Sequence, residues 1–447
     1  MRRAQKIQVI ALFAGAVLHA GTFRDMQQYC FSPANKGLGI HWIEQCLQTA
    51  FTDDPYHLTV TIVAPGTGVA IGPAFELIPR VRHYEFLFTG MAAISTDGSS
   101  IGQAQLTLAL PSRSLSRQAV APLPGQPGNR PSPKPRSRAA DVRASLTLGA
   151  RRINARAQDF YGIGPDTSLN GQTSYGLQLT ELYWGFSNPL SSWSAAGVNV
   201  SWMAPRVTSS ANGELTPIAE RYNGETAPGL TIRDDFVHYE PYLMVRLPPR
   251  NSLHTVVRAG YGIYQDLGDP RYSFKRISAT STTTIPLWLP SHNTPTHRPP
   301  IANLFCPSLR SARRCSIGTL VLTASVAASY TGSNHVVPFY FDPTLGGENL
   351  QDADTLRGFR DYRFRGPDSV LFQAEYLHPV WGPIGVLSFY DVGNVALRPG
   401  DLSLGGMRHD IGTGIYLHAG NRELVRFYIA FGSGEGSRAS SKFPAAY

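Results

Sequence analysis

The sequence predicts an all-β fold, an antiparallel transmembrane β-barrel of about 16 strands. The composition favours many strands separated by turns, because 43 glycines and 34 prolines accompany only 16% charged residues. From about residue 58 onward, segments of roughly ten residues alternate apolar and polar side chains, as barrel strands do between lipid and water. Beyond the N-terminus, no stretch approaches the ~20 continuous apolar residues of a membrane-spanning helix.

The alternation is clearest in residues 237–247, where the odd positions are apolar or aromatic and the even positions include histidine, glutamate and arginine. A soluble β-sandwich would show the same period, so periodicity alone leaves both folds open. The polar faces carry ionisable residues, among them Arg258, Glu375 and Arg426. These favour the membrane barrel, in which such groups line a water-filled interior.

The N-terminus has the features of an export signal. Basic residues at positions 2, 3 and 6 precede an apolar core over 9–18, and Ala20-Gly21 offers a small-residue cleavage point. We therefore predict a signal peptide over residues 1–20, with an uncleaved anchor as the alternative. Residues 21–57 are expected to form a short periplasmic segment with one helix, and residues 58–447 the outer-membrane barrel.

Candidate strands follow the segments of period two in chain order. They are expected near 68–77, 83–95, 101–110, 142–154, 172–186, 193–205, 237–249, 253–266, 272–288, 317–330, 336–345, 369–379, 384–396, 409–419 and 422–432, with a doubtful sixteenth after them. Long connections at 289–316 and 346–368 are expected outside the cell, and short turns in the periplasm. Strand parity then places the long connection 206–236 in the periplasm, which does not fit that rule.

The basic charge of the chain is concentrated in one segment. The net charge is +9, and residues 111–138 contain six basic residues and seven prolines without one acid. A nucleic-acid arm is the alternative to a solvated loop, but no aromatic stacking residue is interleaved with these charges. No nucleic-acid partner is predicted.

The four cysteines form two local pairs, Cys30 with Cys46 and Cys306 with Cys315. In an oxidising compartment an even number of cysteines makes disulfides plausible, and we expect the second pair to close one extracellular loop. A metal site with His292 and His297 is the alternative, but the eight residues between Cys306 and Cys315 exceed zinc-knuckle spacing. No metal and no cofactor are predicted.

Two short motifs carry the most information about function. Leu356-Arg357-Gly358-Phe359 lies in a polar, glycine-rich loop, and Phe389-Tyr390-Asp391-Val392-Gly393 lies in an alternating strand. A planar guanidinium can donate two parallel hydrogen bonds to a carboxylate. Phe389, Asp391 and Gly393 share one face of the strand because side chains alternate along it. We expect Arg357 to contact Asp391 and to fix the loop to the barrel wall.

Over residues 336–432 these motifs resemble those of the BamA/TamA-like outer-membrane insertase family, the bacterial surface antigen superfamily. In that family a hydrophobic-Arg-Gly-aromatic loop folds back into the barrel and meets an aromatic-x-Asp-x-Gly strand. The resemblance implies that the two motifs meet in the lumen, at Leu356, Arg357, Gly358, Phe359, Phe389, Asp391 and Gly393.

The resemblance also implies insertion, assembly or translocation of polypeptides at the outer membrane, through a weak seam whose strand edges template an incoming strand. The expected partners are outer-membrane lipid and client polypeptides. A separate periplasmic protein is a third candidate partner, because residues 21–57 are too few for the family's periplasmic domains. A passive channel or structural barrel without client-handling activity is the alternative.

The chain is not expected to be an enzyme. Gly98-Ser99-Ser100-Ile101-Gly102 matches a serine-hydrolase pattern, which requires a strand before it and a helix after it. Here a hairpin turn and a second strand are predicted instead. The sequence leaves open whether the last strand closes the barrel, because Pro444 near the carboxyl end cannot donate a backbone hydrogen bond to a strand ladder.

Overall fold

The computed structural model describes residues 56–78, 80–81, 84–110, 144–210, 214–250, 253–290, 314–351, 353–381, 383–403, 405–419 and 422–443. Several predictions concern residues outside these ranges. They are the signal peptide, nearly all of the segment 21–57, the basic loop 111–138, Cys30, Cys46, His292, His297 and Cys306.

The described chain forms nineteen strands, of which sixteen build one nearly closed antiparallel barrel. They are β1 (Tyr56–Ile62), β2 (Val69–Leu77), β3 (Arg80–Val81), β4 (Tyr84–Ser95), β5 (Ser100–Ala109), β6 (Ser145–Phe160), β7 (Thr173–Pro189), β8 (Ser194–Thr208), β9 (Phe236–Arg250), β10 (Leu253–Asp266), β11 (Phe274–Pro290), β12 (Arg314–Tyr330), β13 (Thr344–Leu345), β14 (Phe364–Arg365), β15 (Asp368–Trp381), β16 (Ile384–Ala396), β17 (Arg408–Ala419), β18 (Arg422–Gly432) and β19 (Gly436–Lys442). The two-residue strand β3 extends the edge that β2 offers to β4, and β13 pairs with β14 in a separate small sheet. The predicted fold class and strand number are confirmed. No helix within the described ranges is long and apolar enough to cross a membrane.

One predicted strand is wrong. Residues 336–345 contain a 3₁₀ helix, Phe339–Phe341, and the short strand β13 instead of a barrel strand. Pro338 and Pro343 bracket that helix, and proline cannot donate to a ladder. Its place in the count of sixteen is taken by β1, and the doubtful last strand is present as β19.

The same correction resolves the strand parity. Without a barrel strand at 336–345, the connections 209–235 and 331–367 fall at the same rim, which we call the loop rim. The backbone amide of Phe339 donates a hydrogen bond of 2.8 Å to the carbonyl of Pro228, which joins these two connections directly. The end of β11 and the start of β12 lie at the opposite rim, so the expectation that 289–316 and 346–368 share a side is wrong.

The barrel wall has an apolar outer face and a polar inner face. On β9, Tyr239, Leu243 and Leu247 are exposed on the outside. On the inside, Glu240 accepts hydrogen bonds of 2.9 and 3.0 Å from the two terminal nitrogens of Arg258. The ionisable side of the alternating strands therefore faces the lumen, as the sequence predicted.

The largest buried cluster lies at the loop rim and not in the middle of the wall. It joins the ends of β6, β7 and β9 to the 3₁₀ helix of 331–367 and to the short helix α1 (Ile218–Arg221). Its aromatic rings meet edge to face, with centroids 5.2 Å apart for Phe160 and Phe339 and 5.1 Å apart for Tyr175 and Phe339. This packing fixes the connections at the loop rim to one another.

A seam separates the first and last strands. β1 forms its ladder with β2 and β19 forms its ladder with β18, and no ladder joins β1 to β19 in the part of the chain that the structure describes. Within the described residues, each of these strands therefore has a ladder on one side only. The barrel is nearly closed here but not sealed by backbone hydrogen bonds.

Candidate functional site in the barrel lumen

The connection 346–367, which we call the plug loop, folds back from the loop rim into the lumen. Its start is shaped locally: Gly346 and Gly347 have φ of +113° and +61°, values that favour glycine. The Thr355 hydroxyl accepts a hydrogen bond of 2.9 Å from the Gly346 amide and donates one of 3.0 Å to the Gly347 carbonyl. These bonds close the loop on itself and direct the following residues toward the wall.

Arg357 is the centre of the site, and its side chain is almost completely buried. Its Nε and Nη2 donate hydrogen bonds of 2.7 and 2.8 Å to the two carboxylate oxygens of Asp391 on β16. Its Nη1 forms an ion pair with Glu375 on β15. The guanidinium carbon also lies 3.5 Å from the centre of the Phe389 ring, a cation–π contact. The structure thus brings the two sequence motifs together in the geometry that the sequence predicted.

The strand motif faces the lumen as one surface. Phe389, Asp391 and Gly393 are all buried on the inner face of β16. Gln373 donates hydrogen bonds of 3.2 Å to Asp391 and 3.1 Å to the Thr355 carbonyl, so it bridges wall and loop. The two hydrophobic members of the loop motif, Leu356 and Phe359, are buried in a cluster beneath it.

A second layer of charges extends the site to the last strand. Arg426 on β18 lies 3.1 Å from Glu375 and 3.3 Å from Asp354 of the plug loop. Lys442 on β19 lies 3.1 Å from the other oxygen of Asp354. The Arg357 contacts therefore belong to a network that runs from β15 and β16 across the loop to β19.

A further ion pair joins the plug loop to β19. Arg438 donates two hydrogen bonds of 2.7 Å to the carboxylate of Asp361 and one of 2.6 Å to the Phe359 carbonyl. The predicted site residues do not include Asp354, Asp361, Arg438 and Lys442. Arg438 and Lys442 lie on the same face of β19, and that shared parity of two cations was the available signal.

Electrostatics favours the charged state of the loop groups. Burial opposes the charge of Arg357, but its hydrogen bonds with Asp391 and the neighbouring carboxylates outweigh this and raise the pKa of the guanidinium. Burial also opposes the charge of Asp354, yet Lys442, Arg426 and Arg357 outweigh it and lower its pKa from 3.8 to about 2. Asp354 therefore stabilises the fold above pH 3.8, and this contribution is lost as pH falls through about 2.

Two more arginines fix the far end of the plug loop. Arg363 donates a hydrogen bond of 2.6 Å to Glu435 in the β18–β19 turn and others of 2.8 and 2.7 Å to Thr167. Arg365 donates bonds of 2.6 Å to the Phe339 carbonyl and 3.2 Å to the Tyr175 hydroxyl. Together these contacts tie the loop to β7 on one side of the lumen and to the seam on the other.

Gly358 is required by close packing. A Cβ atom at this position would lie 2.6 Å from the Cβ of Asp410 on β17 and 2.7 Å from the backbone nitrogen of Gly432 on β18. Such separations are shorter than van der Waals contact, so the loop backbone can approach the wall only where no side chain intervenes.

Replacing Gly358 by alanine is therefore expected to push the plug loop away from β17 and β18. We expect a loss of about 1–3 kcal/mol of unfolding free energy, the usual cost of overpacking. Urea unfolding of the refolded barrel measures it. Gly400→Ala is the matched control, because a Cβ there meets nothing within 4 Å. Equal stability of both variants would contradict the close approach.

The cysteine prediction stays a prediction. Cys315 lies in β12, opposite Leu289 in the register, near the rim away from the plug loop. Cys306 lies outside the described residues. Since that rim is opposite the plug loop, the expectation that Cys315 and the plug loop lie on the same side is wrong.

No protein-family model matches the chain, and no curated protein sequence matches it. Among solved structures, it is similar to BamA from Haemophilus ducreyi lacking POTRA domains 1-3, with 9% identity over 87% of this chain and 70% of that one, at a TM-score of 0.48. It is similar to CdiB from Escherichia coli, with 10% identity over 93% and 73% of the two chains and a TM-score of 0.45. It is also similar to CdiB from Acinetobacter baumannii, with 10% identity over 83% of this chain and 54% of that one, at a TM-score of 0.44. The chain is a β-barrel similar to those of BamA and CdiB.

Proposed function

We propose that this chain is an outer-membrane protein that takes part in insertion, assembly or translocation of polypeptides at the outer membrane. The observation that carries the proposal is the seam between β1 and β19, which no ladder closes within the described residues. The sides of these strands that carry no ladder can add an incoming extended segment by backbone hydrogen bonding. The activity needs no catalytic group, and no enzymatic role is proposed.

The contacts of the plug loop support the same function. Asp361 and Asp354 of the loop form ion pairs with Arg438 and Lys442 of β19. The strand at the seam is thus held by side chains from the lumen as well as by its ladder with β18. A seam strand held in this way can be released without unfolding the rest of the wall, because every barrel strand except β1 and β19 has ladders on both sides within the described residues.

The outer surface supports a location in a lipid bilayer. Large apolar side chains are exposed around the wall, among them Ile71 on β2, Leu182 on β7, Ile277 on β11 and Phe427 on β18. Exposed apolar residues spread around a whole barrel are stable in lipid and unfavourable in water. Outer-membrane lipid and client polypeptides are the proposed partners.

Photo-crosslinking tests the proposed seam directly. A photoreactive amino acid at Leu58 of β1 is expected to capture polypeptides that are being inserted or translocated in cells. The same probe at Leu243 of β9 is the matched control, because the two leucines are similarly exposed, at 48% and 45%, and only Leu58 borders the seam. β9 has ladders with both β8 and β10 and offers no edge.

Equal capture at both positions, or capture at neither, would contradict client handling at the seam. Ion conductance of the purified barrel together with no capture at Leu58 would establish the passive channel instead.

A further inference from the structure

A cavity of about 600 Å³ lies at the loop rim, apart from the Arg357 network. Residues of the connections 161–172, 209–235 and 331–367 surround it, and Leu397 of the β16–β17 connection completes the wall. Its volume is in the range typical of small-molecule sites. Much of its lining is apolar or aromatic, and includes Tyr161, Ile163, Tyr222, Pro228, Val336 and Val337.

The hydroxyl groups of the two tyrosines in the lining are hydrogen-bonded within the fold. The Tyr222 hydroxyl donates a hydrogen bond of 2.8 Å to the Gly171 carbonyl, and the Tyr161 hydroxyl donates one of 3.2 Å to Asp159. Thr167, Thr226 and other hydroxyl-bearing residues also line the cavity. The cavity thus offers the partly exposed Tyr222 side chain together with small polar side chains.

Asp342 is a buried polar residue of the cavity lining with an unpaired side-chain oxygen. It lines the cavity, its residue surface is only 6% exposed, and its Oδ1 has no hydrogen-bond partner. Among the cavity-lining residues that the structure describes, no other has a buried side-chain nitrogen or oxygen without a partner. An unpaired buried oxygen is costly, so the Asp342 carboxyl group has unused hydrogen-bonding capacity at the cavity wall.

The charge state of Asp342 restricts the ligand. Burial raises the pKa of its carboxyl to about 8, and the positive charges of Arg276 and Arg365 only partly oppose this effect. At neutral pH the group is therefore mostly a protonated carboxylic acid, which is both a donor and an acceptor. The charged or titratable residues that face Asp342 or line its cavity are Arg276, Arg365, Asp368, Glu225 and His335.

We propose that this cavity binds a neutral, hydroxylated ligand the size of a mono- or disaccharide, with Asp342 as the central hydrogen-bonding group. The partly exposed Tyr222 would pack against the apolar face of a sugar ring, and ligand hydroxyls would exchange hydrogen bonds with the carboxylic acid. A cationic ligand is disfavoured because Arg276 and Arg365 are close enough to act on Asp342. This inference goes beyond the proposed function and does not depend on it.

Ligand-detected NMR on the full chain, in micelles of a detergent without a sugar headgroup, tests the proposal. D-Galactose and maltose are the neutral probes, and methylammonium is the cationic probe. At pH 6.5, at least one sugar is expected to bind the unaltered protein, and Asp342→Leu and Leu397→Trp are expected to weaken this binding at least ten-fold. Asp166→Asn is the control, because Asp166 is exposed and lies outside the cavity lining.

The pH dependence separates the two ligand classes. Sugar binding should weaken as pH rises through about 8, where Asp342 loses its donor proton. Asp342→Asn keeps a donor and an acceptor but does not titrate, so it should bind the sugar without this pH dependence, and it covers the case that Asp342→Leu fails to fold. Binding of neither sugar, undiminished sugar binding by Asp342→Leu, or methylammonium binding that strengthens above pH 8 would overturn the proposal.

Discussion

Replacing Arg357 by alanine is expected to release the plug loop from the barrel wall at a cost of about 3–5 kcal/mol, the usual effect of removing one partner of a buried ion pair. The change leaves Asp391 and Glu375 buried without the cation that both contact. Asp391→Ala should cost less, because Arg357 keeps its contact with Glu375. The rate at which a protease cleaves residues 346–367 in the folded barrel measures both losses.

The double variant should lose less than the sum of the two single losses, because neither charge is then left without the other. Arg360→Ala is the matched control in the same loop, since Arg360 is exposed and its partners Gln172 and Tyr161 lie outside the Arg357 network. Strictly additive losses, or equal protease resistance in all variants, would show that the buried pair does not hold the loop.

Removing both cations of β19, in the double variant Arg438→Ala and Lys442→Ala, is expected to loosen the strand at the seam. Hydrogen bonds to charged groups contribute about 1.5–3 kcal/mol each, and about 1.4 kcal/mol corresponds to a ten-fold change in an equilibrium. Amide hydrogen exchange over residues 436–442 should therefore accelerate by roughly ten-fold or more, while exchange in β16 stays slow.

Arg151→Ala is the control for this experiment. Arg151 forms a lumenal ion pair of 2.8 Å with Glu181, between β6 and β7, far along the wall from the seam. Its loss should leave exchange in β19 unchanged. If the β19 double variant exchanges no faster than the unaltered protein, the backbone ladder with β18 alone holds the strand, and the plug loop does not control the seam.

Local sequence patterns were sufficient to predict most strands of the barrel wall. Alternation in strands such as β9 and β16 follows from the geometry of one strand, in which successive side chains point to opposite faces. The resemblance to the BamA/TamA-like family implied that the motif around Arg357 meets the motif around Asp391, and it was needed because the loop also contains a second arginine-glycine pair, Arg365-Gly366. The same reasoning gave a wrong strand at 336–345, because its apolar residues Phe339 and Tyr340 are buried under loops and not in the wall.

The sequence by itself determined the fold class, most strand positions, the inward face of the charged residues and the Arg357–Asp391 contact. Only the tertiary structure decided which residues of the last strand meet the plug loop, that β1 and β19 form no ladder within the described chain, and that Asp342 faces a cavity. The physical reason is the distance along the chain between the interacting residues. Strand period is set by neighbours in the chain, whereas a contact such as Asp354 with Lys442 joins residues 88 positions apart and exists only once the barrel has brought the loop and the seam together.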